Sequence, residues 1–317
     1  MKLKESLESI DKVNINFHRM NRYKVLLFYK YARVDDPHDL MISQRQICEK
    51  LNLYGRIIVA SEGINATIEG QSQDVDLYCK ELVNDKRFGD VHFKFSTGNG
   101  ESFTKLSVKV RSEIVSGHLG VENVDPTEIT GKYVTAEQLH KWIEEKREFY
   151  IVDMRNDFEQ EVGMFEGSIK SGMHLFSDLP NVLPKLANLK DKTIVTVCTG
   201  GVRCEKASGF LVRNGFSNVY QLFGGIHTYL EKYPNENFKG ALYVFDKRVI
   251  MHFGEKSKKK IVGRCRVCKK PNENYTNCLD NFCNRHFICC GECLGVGIKC
   301  PMGCRDYSKE HPELIFK

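Results

Sequence analysis

The 317-residue sequence lacks any long apolar run. Residues 1–8 have no apolar stretch after their charged side chains, so a secretory signal is not expected. No segment approaches the roughly 20 apolar residues of a membrane-spanning helix, and we expect a cytoplasmic protein with no membrane partner. The sequence also has no flavin or nicotinamide fingerprint, and no pattern of two histidines and one carboxylate for non-haem iron. It therefore carries no signal for the commonest redox cofactors.

Cysteine is scarce in most of the chain and dense near its end. Only four of the thirteen cysteines precede residue 265, and the other nine lie between Cys265 and Cys304. A secreted domain could use such a density for disulfide bonds, but no export signal accompanies it. In a reducing compartment, dense cysteine indicates metal binding or catalysis.

The length of the chain predicts two or three domains, the first over residues 20–118. Runs of β-branched and aromatic residues predict strands, and apolar side chains at helical spacing predict helices. The predicted strands cover residues 23–31, 55–60, 64–70, 91–95 and 106–111, with helices at 39–51 and 74–83. The first six of these elements follow a βαββαβ order, which indicates a ferredoxin-like α+β sandwich.

A second domain is predicted at residues 130–245, after a linker over 121–131 that contains Pro126. A capping box at residues 135–138 opens its first helix, which runs through Trp142. Apolar strands at 150–153, 193–197 and 218–222 alternate with helices at 206–213 and 226–232. Because near-continuous apolar character suits buried parallel strands, we predict an α/β domain with a parallel sheet.

The strand at 193–197 leads directly into the loop Cys198-Thr199-Gly200-Gly201-Val202-Arg203. Ligands bind at the carboxyl ends of strands in open α/β sheets, and the two glycines allow a nest of inward-pointing backbone N–H groups. A helix N-terminus and Arg203 add positive potential. These features predict that Cys198 is a catalytic nucleophile with a lowered pKa. Cys204 is either a resolving thiol for Cys198 or a residue packed inward at the helix start.

Several stretches in this domain resemble rhodanese domains. They are Asp153-Met154-Arg155, Glu159, residues 163–168 with Met164 where the family has histidine, and Phe223-Gly224-Gly225. Four residues separate Cys198 from Arg203, as in rhodanese-like sulfurtransferases. The related dual-specificity phosphatases use a longer loop, so the spacing argues against phosphatase chemistry. Arg155 either lines the pocket or forms a structural ion pair with Asp153 or a neighbouring acid.

The chain as a whole resembles the TrhO family of rhodanese-domain tRNA uridine hydroxylases. Residues 28–34, 55–67 and 198–207 carry the resemblance, which covers about residues 20–305. It implies oxygen-dependent hydroxylation of the wobble uridine in the tRNA anticodon loop to 5-hydroxyuridine, with molecular oxygen as co-substrate. It also implies that Cys198 is the essential residue and a candidate for a persulfide, and that Arg203 stabilises the thiolate or an anionic intermediate.

Two other functions stay open at the level of sequence. The first is a sulfurtransferase that moves sulfur from a persulfide on Cys198 to an acceptor. The second is a non-enzymatic RNA-binding protein with a decayed rhodanese domain, against which the intact Cys198 and Arg203 count. The sequence identifies no protein partner.

Basic and aromatic residues of the first domain are candidates for contacts with tRNA. Lys30, Arg33 and Arg56 could bind phosphates, and Tyr29 or Tyr31 could stack on a loop base. The formal net charge of +6 permits an RNA partner without requiring one. The alternative is an amphipathic strand with a solvated, charged face.

The cysteine-rich tail, residues 255–317, holds too few large apolar residues to fold without a staple. Paired Cys-x2-Cys units with later cysteine or histidine fit structural zinc, and an iron–sulfur cluster is the alternative. The predicted ligands are Cys265, Cys268, Cys278, Cys283, Cys290, Cys293, Cys300 and Cys304, with no assignment to individual sites. Removal of the metal is expected to unfold the tail and to leave Cys198 unaffected.

Overall fold

The computed structural model describes residues 22–255, 259–279, 283 and 285–294. Within these ranges the chain forms two compact units. The first ends at Ser116 and also includes Asp125–Glu128, and the second comprises Gly117–Val124 and the chain from Ile129 onward. No helix in the described part of the chain is both long and apolar enough to span a bilayer.

The first unit is one mixed sheet with two helices. Its strands are β1 (Tyr23–Tyr31), β2 (Tyr54–Ala60), β3 (Gly63–Gln71), β4 (Lys94–Gly98) and β5 (Leu106–Val110), and its helices are α1 (Pro37–Lys50) and α2 (Ser72–Val83). The strand order is β4-β1-β3-β2-β5, and the β2–β5 pair is parallel whereas the other pairs are antiparallel. The predicted ferredoxin-like α+β sandwich is confirmed.

Alternation of side chains along the strands gives this sheet one core face. Leu26, Phe28 and Ile57 on that face are buried in a cluster with apolar residues of α1 and α2. Gly63 opens β3 with a φ of +145°, and a Cβ there would lie 2.0 Å from the Lys30 carbonyl oxygen. Only glycine therefore allows β1 and β3 to approach this closely.

The fourth strand begins later than predicted. The sequence predicts a strand over residues 91–95, whereas β4 begins at Lys94. Val91 and Phe93 pack against the core, and the Phe93 ring meets Phe28 edge-on with centroids 5.7 Å apart. An irregular segment whose apolar residues are partly buried has the composition of a strand, which is why the apolar pattern misplaced the boundary.

The second unit contains many short elements. Its strands are β6 (Lys132–Val134), β7 (Tyr150–Asp153), β8 (Gly163–Phe165), β9 (Ile169–Lys170), β10 (Thr193–Val197), β11 (Asn218–Leu222), β12 (Phe238–Gly240), β13 (Leu242–Tyr243), β14 (Ile250–Met251), β15 (Tyr275–Asn277) and β16 (His286–Ile288). Its α-helices are α3 (Ala136–Glu144), α4 (Asp157–Gln160), α5 (Leu183–Leu186), α6 (Val202–Arg213), α7 (Gly225–Lys232) and α8 (Gly291–Leu294). Short 3-10 helices lie at Gly120–Glu122, Phe176–Val182 and Ala187–Leu189.

A five-stranded parallel sheet organises this unit. Its order is β6-β11-β10-β7-β9, and each neighbouring pair is parallel. Val195 and Val197 of β10 are buried with residues of α3 and α7. Because the strands are parallel, the residues that follow β7, β10 and β11 lie at one edge of the sheet. The predicted rhodanese-like α/β domain with a parallel sheet is confirmed.

Helix α6 starts earlier than the sequence predicted, at Val202 instead of residue 206. Its N-cap is Gly201, which has a left-handed conformation and no side chain to mark the cap. The usual start signal, a Ser, Thr, Asp or Asn cap, is therefore missing from the sequence. As a result, Arg203 and Cys204 lie in the first helical turn.

The described part of the cysteine-rich tail packs on this same unit. Its strands β15 and β16 form an antiparallel hairpin. Ile288 is fully buried in a cluster with Val162, Ala241 and Tyr243, and Tyr275 packs against that cluster. The tail therefore shares a core with the elements around α4.

Candidate active site

Cys198 follows β10 and is fully buried at the start of the loop that leads into α6. The backbone N–H of Gly201 donates to its Sγ over 3.2 Å. Gly201 has a φ of +103°, which L side chains rarely adopt. On the α7 side, a Cβ on Gly225 would lie 2.6 Å from the Cys198 carbonyl oxygen. Glycine is thus needed both to aim an N–H at the sulfur and to let α7 approach the loop.

Arg203 makes a bidentate ion pair with Glu159. Its Nη1 and Nη2 atoms lie 2.5 Å and 2.8 Å from the two carboxylate oxygens. The Thr199 hydroxyl donates to the same carboxylate over 3.2 Å, and the backbone N–H of Asn156 does so over 3.0 Å. Glu159 is fully buried, so breaking this pair would leave a charge in the interior. Glu159 therefore connects α4 to the Cys198 loop.

Opposing effects act on the thiol of Cys198. Burial raises its pKa, but a hydrogen bond from the Cys204 thiol, the charge of Arg203 and the N–H groups of Cys204 and Gly201 together lower it to about 6. The pKa of Cys204 moves the other way, because burial and the neighbouring Cys198 sulfur raise it well above its usual value. At neutral pH, Cys198 is a thiolate and Cys204 is a neutral thiol that donates to it.

Arg155 does not reach the loop surface. Its side chain is fully buried, and its Nη2 lies 2.6 Å from a carboxylate oxygen of Asp153. It also donates to the carbonyl oxygen of Gly163 over 2.7 Å. Of the two interpretations of Arg155, these contacts favour the structural ion pair, because no atom of the side chain is exposed to a substrate.

Exposed aromatic rings lie near the loop, and the sequence did not single them out as substrate contacts. Phe223 directly follows β11, is 40% exposed and meets the Tyr133 ring edge-on with centroids 5.7 Å apart. Phe245 is 45% exposed, and its ring centroid lies 5.7 Å from the guanidinium carbon of Arg203. The position of Phe223 directly after a parallel strand was a sequence signal that could have identified it as a residue of the site.

Four cysteines of the tail bring their sulfur atoms together. The Sγ atoms of Cys265, Cys268, Cys290 and Cys293 all lie within 4.8 Å of one another, and those of Cys268 and Cys290 are 3.7 Å apart. Around a tetrahedral zinc ion with the usual Zn–S distance, sulfur atoms would be about 3.8 Å apart. Desolvation raises the pKa of Cys265, but backbone N–H groups, first that of Cys290, lower it to about 6. The cluster fits a four-cysteine zinc site, which binds thiolates.

The other predicted ligands are not part of this cluster. Cys278 and Cys283 are buried nearby in the tail, but within the described residues they join no group of metal-ligating side chains. Cys300 and Cys304 lie outside the described residues. The structure thus brings together four of the eight predicted cysteines, and a second metal site stays a prediction.

Known protein families match three successive segments of the chain. Residues 23–114 match the UPF0176 acylphosphatase like domain, residues 135–232 the Rhodanese-like domain, and residues 239–306 the Rhodanase C-terminal domain. The Cys198 loop falls in the second segment, and the four-cysteine cluster falls in the third.

Relatives with curated names extend over nearly the whole chain. The tRNA uridine(34) hydroxylase of Cytophaga hutchinsonii is 38% identical over 93% of this chain and 92% of its own length. That of Bacillus cytotoxicus is 38% identical over 91% of each chain, and that of Staphylococcus haemolyticus is 40% identical over 84% and 83%. The chain belongs to the tRNA uridine(34) hydroxylase family. The resemblance inferred from residues 28–34, 55–67 and 198–207 is confirmed.

The basic residues of the first unit that were predicted to contact tRNA do not share one surface. Lys30 lies on the face of β1 that also carries Phe28, and it pairs with Asp90 over 2.7 Å. Arg56 is exposed and lies on the opposite face of the sheet. Arg33 follows β1 and forms an exposed pair with Asp35 over 2.7 Å. Exposed pairs contribute only about 0–1 kcal/mol, so a phosphate could replace either acid.

The two candidate stacking residues of the first unit differ in exposure. Tyr31 is nearly buried, whereas Tyr29 is half-buried. The amino group of Lys94 lies 5.2 Å from the centroid of the Tyr29 ring. Of the two, Tyr29 offers more ring surface to a base.

Proposed function

We propose that this chain hydroxylates the wobble uridine of tRNA, uridine 34, to 5-hydroxyuridine, with molecular oxygen as co-substrate. The observation that carries the proposal is an intact, thiolate-stabilising Cys198 loop in a chain that matches tRNA uridine(34) hydroxylases over nearly its full length. Uridine 34 belongs to the anticodon loop, where an unpaired base can leave its stack and enter a protein site. A tRNA substrate is consistent with a cytoplasmic enzyme.

Cys198 is the catalytic residue of this proposal. A thiolate is a strong nucleophile towards electron-poor carbon, and carbon 6 of uracil is such a centre. Addition of the sulfur there would shift the electron pair of the ring double bond towards carbon 5, the carbon that is hydroxylated. Reaction of carbon 5 with molecular oxygen and a proton would give a hydroperoxide, and a two-electron reductant such as two cellular thiols would convert it to the hydroxyl group and water. Loss of the remaining proton on carbon 5 and expulsion of the sulfur would then restore the double bond. Arg203 and Cys204 serve this step by keeping Cys198 ionised.

The tRNA is bound by both units in this proposal. Arg56 has an exposed side chain, and Lys30 and Arg33 make exposed ion pairs, so each can contact a phosphate, Lys30 and Arg56 from opposite faces of the sheet. Phe223 and Phe245 present exposed rings near the loop, and stacking of a base on such a ring contributes about 1–3 kcal/mol. Arg155 is assigned to the structure of the site and not to substrate binding.

Zinc has a structural role in this proposal. Cys265, Cys268, Cys290 and Cys293 would hold one ion through four thiolates, which leaves no position for a substrate. The charge of the ion would stabilise thiolates that otherwise repel one another. Cys278, Cys283, Cys300 and Cys304 are the candidates for a second ion.

Mass spectrometry of tRNA nucleosides tests the proposed reaction. Cells that lack this chain should lose 5-hydroxyuridine and its derivatives, and the wild-type chain should restore them. The variant Cys198→Ser should not restore them, whereas Cys48→Ser, which changes a buried cysteine of the first unit, serves as the matched control. Unchanged 5-hydroxyuridine in the deleted cells would contradict the proposal.

A sulfurtransferase activity is the second candidate, because a thiolate with a pKa of about 6 would also accept sulfane sulfur. In that case, the purified chain should transfer sulfur from thiosulfate to cyanide. The tRNA nucleosides of the deleted cells should then keep their 5-hydroxyuridine. Sulfur transfer without a change in tRNA would favour this candidate over hydroxylation.

A further inference from the structure

Helix α4, which carries Glu159, is held by the cysteine-rich tail. The Tyr275 hydroxyl donates to the carbonyl oxygen of Phe158 over 2.5 Å. Arg266 forms an ion pair with Glu161, the residue directly after the helix. The tail therefore contacts the chain on both sides of Glu159, at residues 158 and 161.

Aromatic packing adds to these polar contacts. The Phe158 ring meets Tyr243 edge-on at 5.2 Å and His286 at 6.4 Å between centroids. The Tyr243 hydroxyl and Nδ1 of His286 are 2.9 Å apart. His286 belongs to β16, so a strand of the tail packs against the Phe158 ring.

The first turn of α4 has a contact of the same kind. Asp157 lies 2.6 Å from Nδ1 of His174, and Nε2 of His174 lies 2.6 Å from Nη2 of Arg285. Arg285 directly precedes β16. The tail thus reaches the start of α4 indirectly, through His174, and contacts the chain directly at residues 158 and 161.

A helix this short depends on such contacts. α4 has only four residues, and isolated helices of that length are not stable in water. Its position is therefore set by tertiary packing. Since Glu159 holds Arg203 through two oxygens, a displacement of α4 would displace the guanidinium near Cys198.

The contacts of the tail originate beside the four-cysteine cluster. Arg266 directly follows Cys265, and its backbone N–H donates to the carbonyl oxygen of Ile288 at the end of β16. Cys290 lies two residues after Ile288, and its own N–H donates to the Cys265 sulfur over 3.4 Å. A metal ion that joins Cys265 to Cys290 would therefore fix Arg266 and β16 together.

We propose that metal binding by the four-cysteine cluster positions Glu159, and through it Arg203, so that the tail controls the reactivity of Cys198 without touching it. Tyr275 and Arg266 are positioning residues in this arrangement. The proposal rests on the proposed metal site and not on the proposed hydroxylation. It is opposite to the expectation from sequence that loss of the metal would leave Cys198 unaffected.

The test measures Cys198 directly in the full-length chain. The rate of alkylation by iodoacetamide is followed as a function of pH, and mass spectrometry of the peptide that contains Cys198 separates it from the other cysteines. The variants are Tyr275→Phe and Arg266→Gln. The matched control is Lys270→Gln, since Lys270 forms an exposed pair with Glu292 inside the tail.

The positioning variants should raise the pH midpoint of the alkylation. A rise of about one unit from a midpoint near 6 would reduce the rate at pH 6 about five-fold, because the thiolate fraction falls from a half to about a tenth. Lys270→Gln should keep the wild-type midpoint. The midpoint is the readout, because the access of iodoacetamide to Cys198 scales the plateau rate without moving the midpoint.

Metal removal supplies a second arm that does not depend on the folding of a variant. Zinc content is measured before and after treatment with a chelator, and alkylation is repeated on the metal-free and zinc-reloaded chains. We expect the midpoint to rise on removal and to return on reloading. An unchanged midpoint in both the metal-free chain and Tyr275→Phe overturns the proposal. Because no tRNA is present, failure of the hydroxylation proposal would not alter these results.

Discussion

Replacing Cys204 with alanine should raise the pKa of Cys198 and reduce the thiolate at neutral pH. The Cys204 thiol is fully buried and donates to the Cys198 sulfur. A hydrogen bond to a charged group contributes about 1.5–3 kcal/mol, which corresponds to about one to two pKa units. The pKa of Cys198 should therefore rise from about 6 to roughly 7–8. At pH 7 the thiolate fraction would fall from about nine-tenths to between a tenth and a half.

The variant Cys204→Ser separates the two interpretations of this residue. A serine hydroxyl still donates to the thiolate, so the alkylation midpoint of Cys198 and the hydroxylation of tRNA should stay near wild type. If Cys204 is instead a resolving thiol, the serine variant loses turnover although its midpoint is normal. An alanine variant with the wild-type midpoint would refute the hydrogen-bond argument.

The lowered pKa of Cys198 also predicts a dependence of stability on pH. A group whose pKa is lower in the folded chain contributes stability that is fully present above the pKa of the unfolded chain. This contribution is lost as the pH falls through about 6. Cys204→Ala should reduce this contribution of the Cys198 thiolate to stability. The urea midpoints of the variant and the wild type should therefore differ more at pH 9 than at pH 5.

Three further perturbations test other parts of the molecule. Glu159→Gln leaves Arg203 buried without its counter-charge, so it should lower the free energy of unfolding in urea titrations by about 3–5 kcal/mol. An unchanged urea midpoint would contradict the buried ion pair. Cys293→Ser should reduce zinc bound at the four-cysteine cluster, measured by atomic absorption, and full occupancy would argue against that site. Arg56→Ala should weaken tRNA binding, measured by fluorescence anisotropy, and should reduce the slope of log affinity against log salt concentration by about 0.7–0.9. A slope equal to that of the wild type would show that Arg56 does not contact the tRNA.

The reactive loop could be predicted because its signals are local. Cys198, two glycines and Arg203 occur within six residues, and each acts through a rule that needs no distant partner. The start of α6 was placed too late for a local reason as well, since a glycine N-cap leaves no side-chain signal. The order of strands and helices in the first unit was likewise readable from the period of apolar residues, whereas the short strands β6 and β9 of the second sheet were not predicted.

The partners of the charged residues could not be predicted, because they depend on the fold. Glu159 lies 44 residues before Arg203, and only the sheet brings them together. Its place in a rhodanese-like stretch was visible, but its ion pair was not. For the tail, spacing identified candidate ligands, whereas the grouping of Cys265 with Cys290 depends on the hairpin between them.

The Arg203–Glu159 pair also bears on the kind of substrate that the site accepts. Arg203, Glu159 and the ionised Cys198 together carry one net negative charge, although the guanidinium still lowers the pKa of Cys198. Backbone N–H groups and the start of α6 supply only partial positive charges, and these already face the thiolate. An anionic sulfur donor such as thiosulfate would therefore meet repulsion at the nucleophile, whereas an uncharged uracil ring would not. The charge balance of the loop thus favours uridine over an anionic sulfur compound as its substrate.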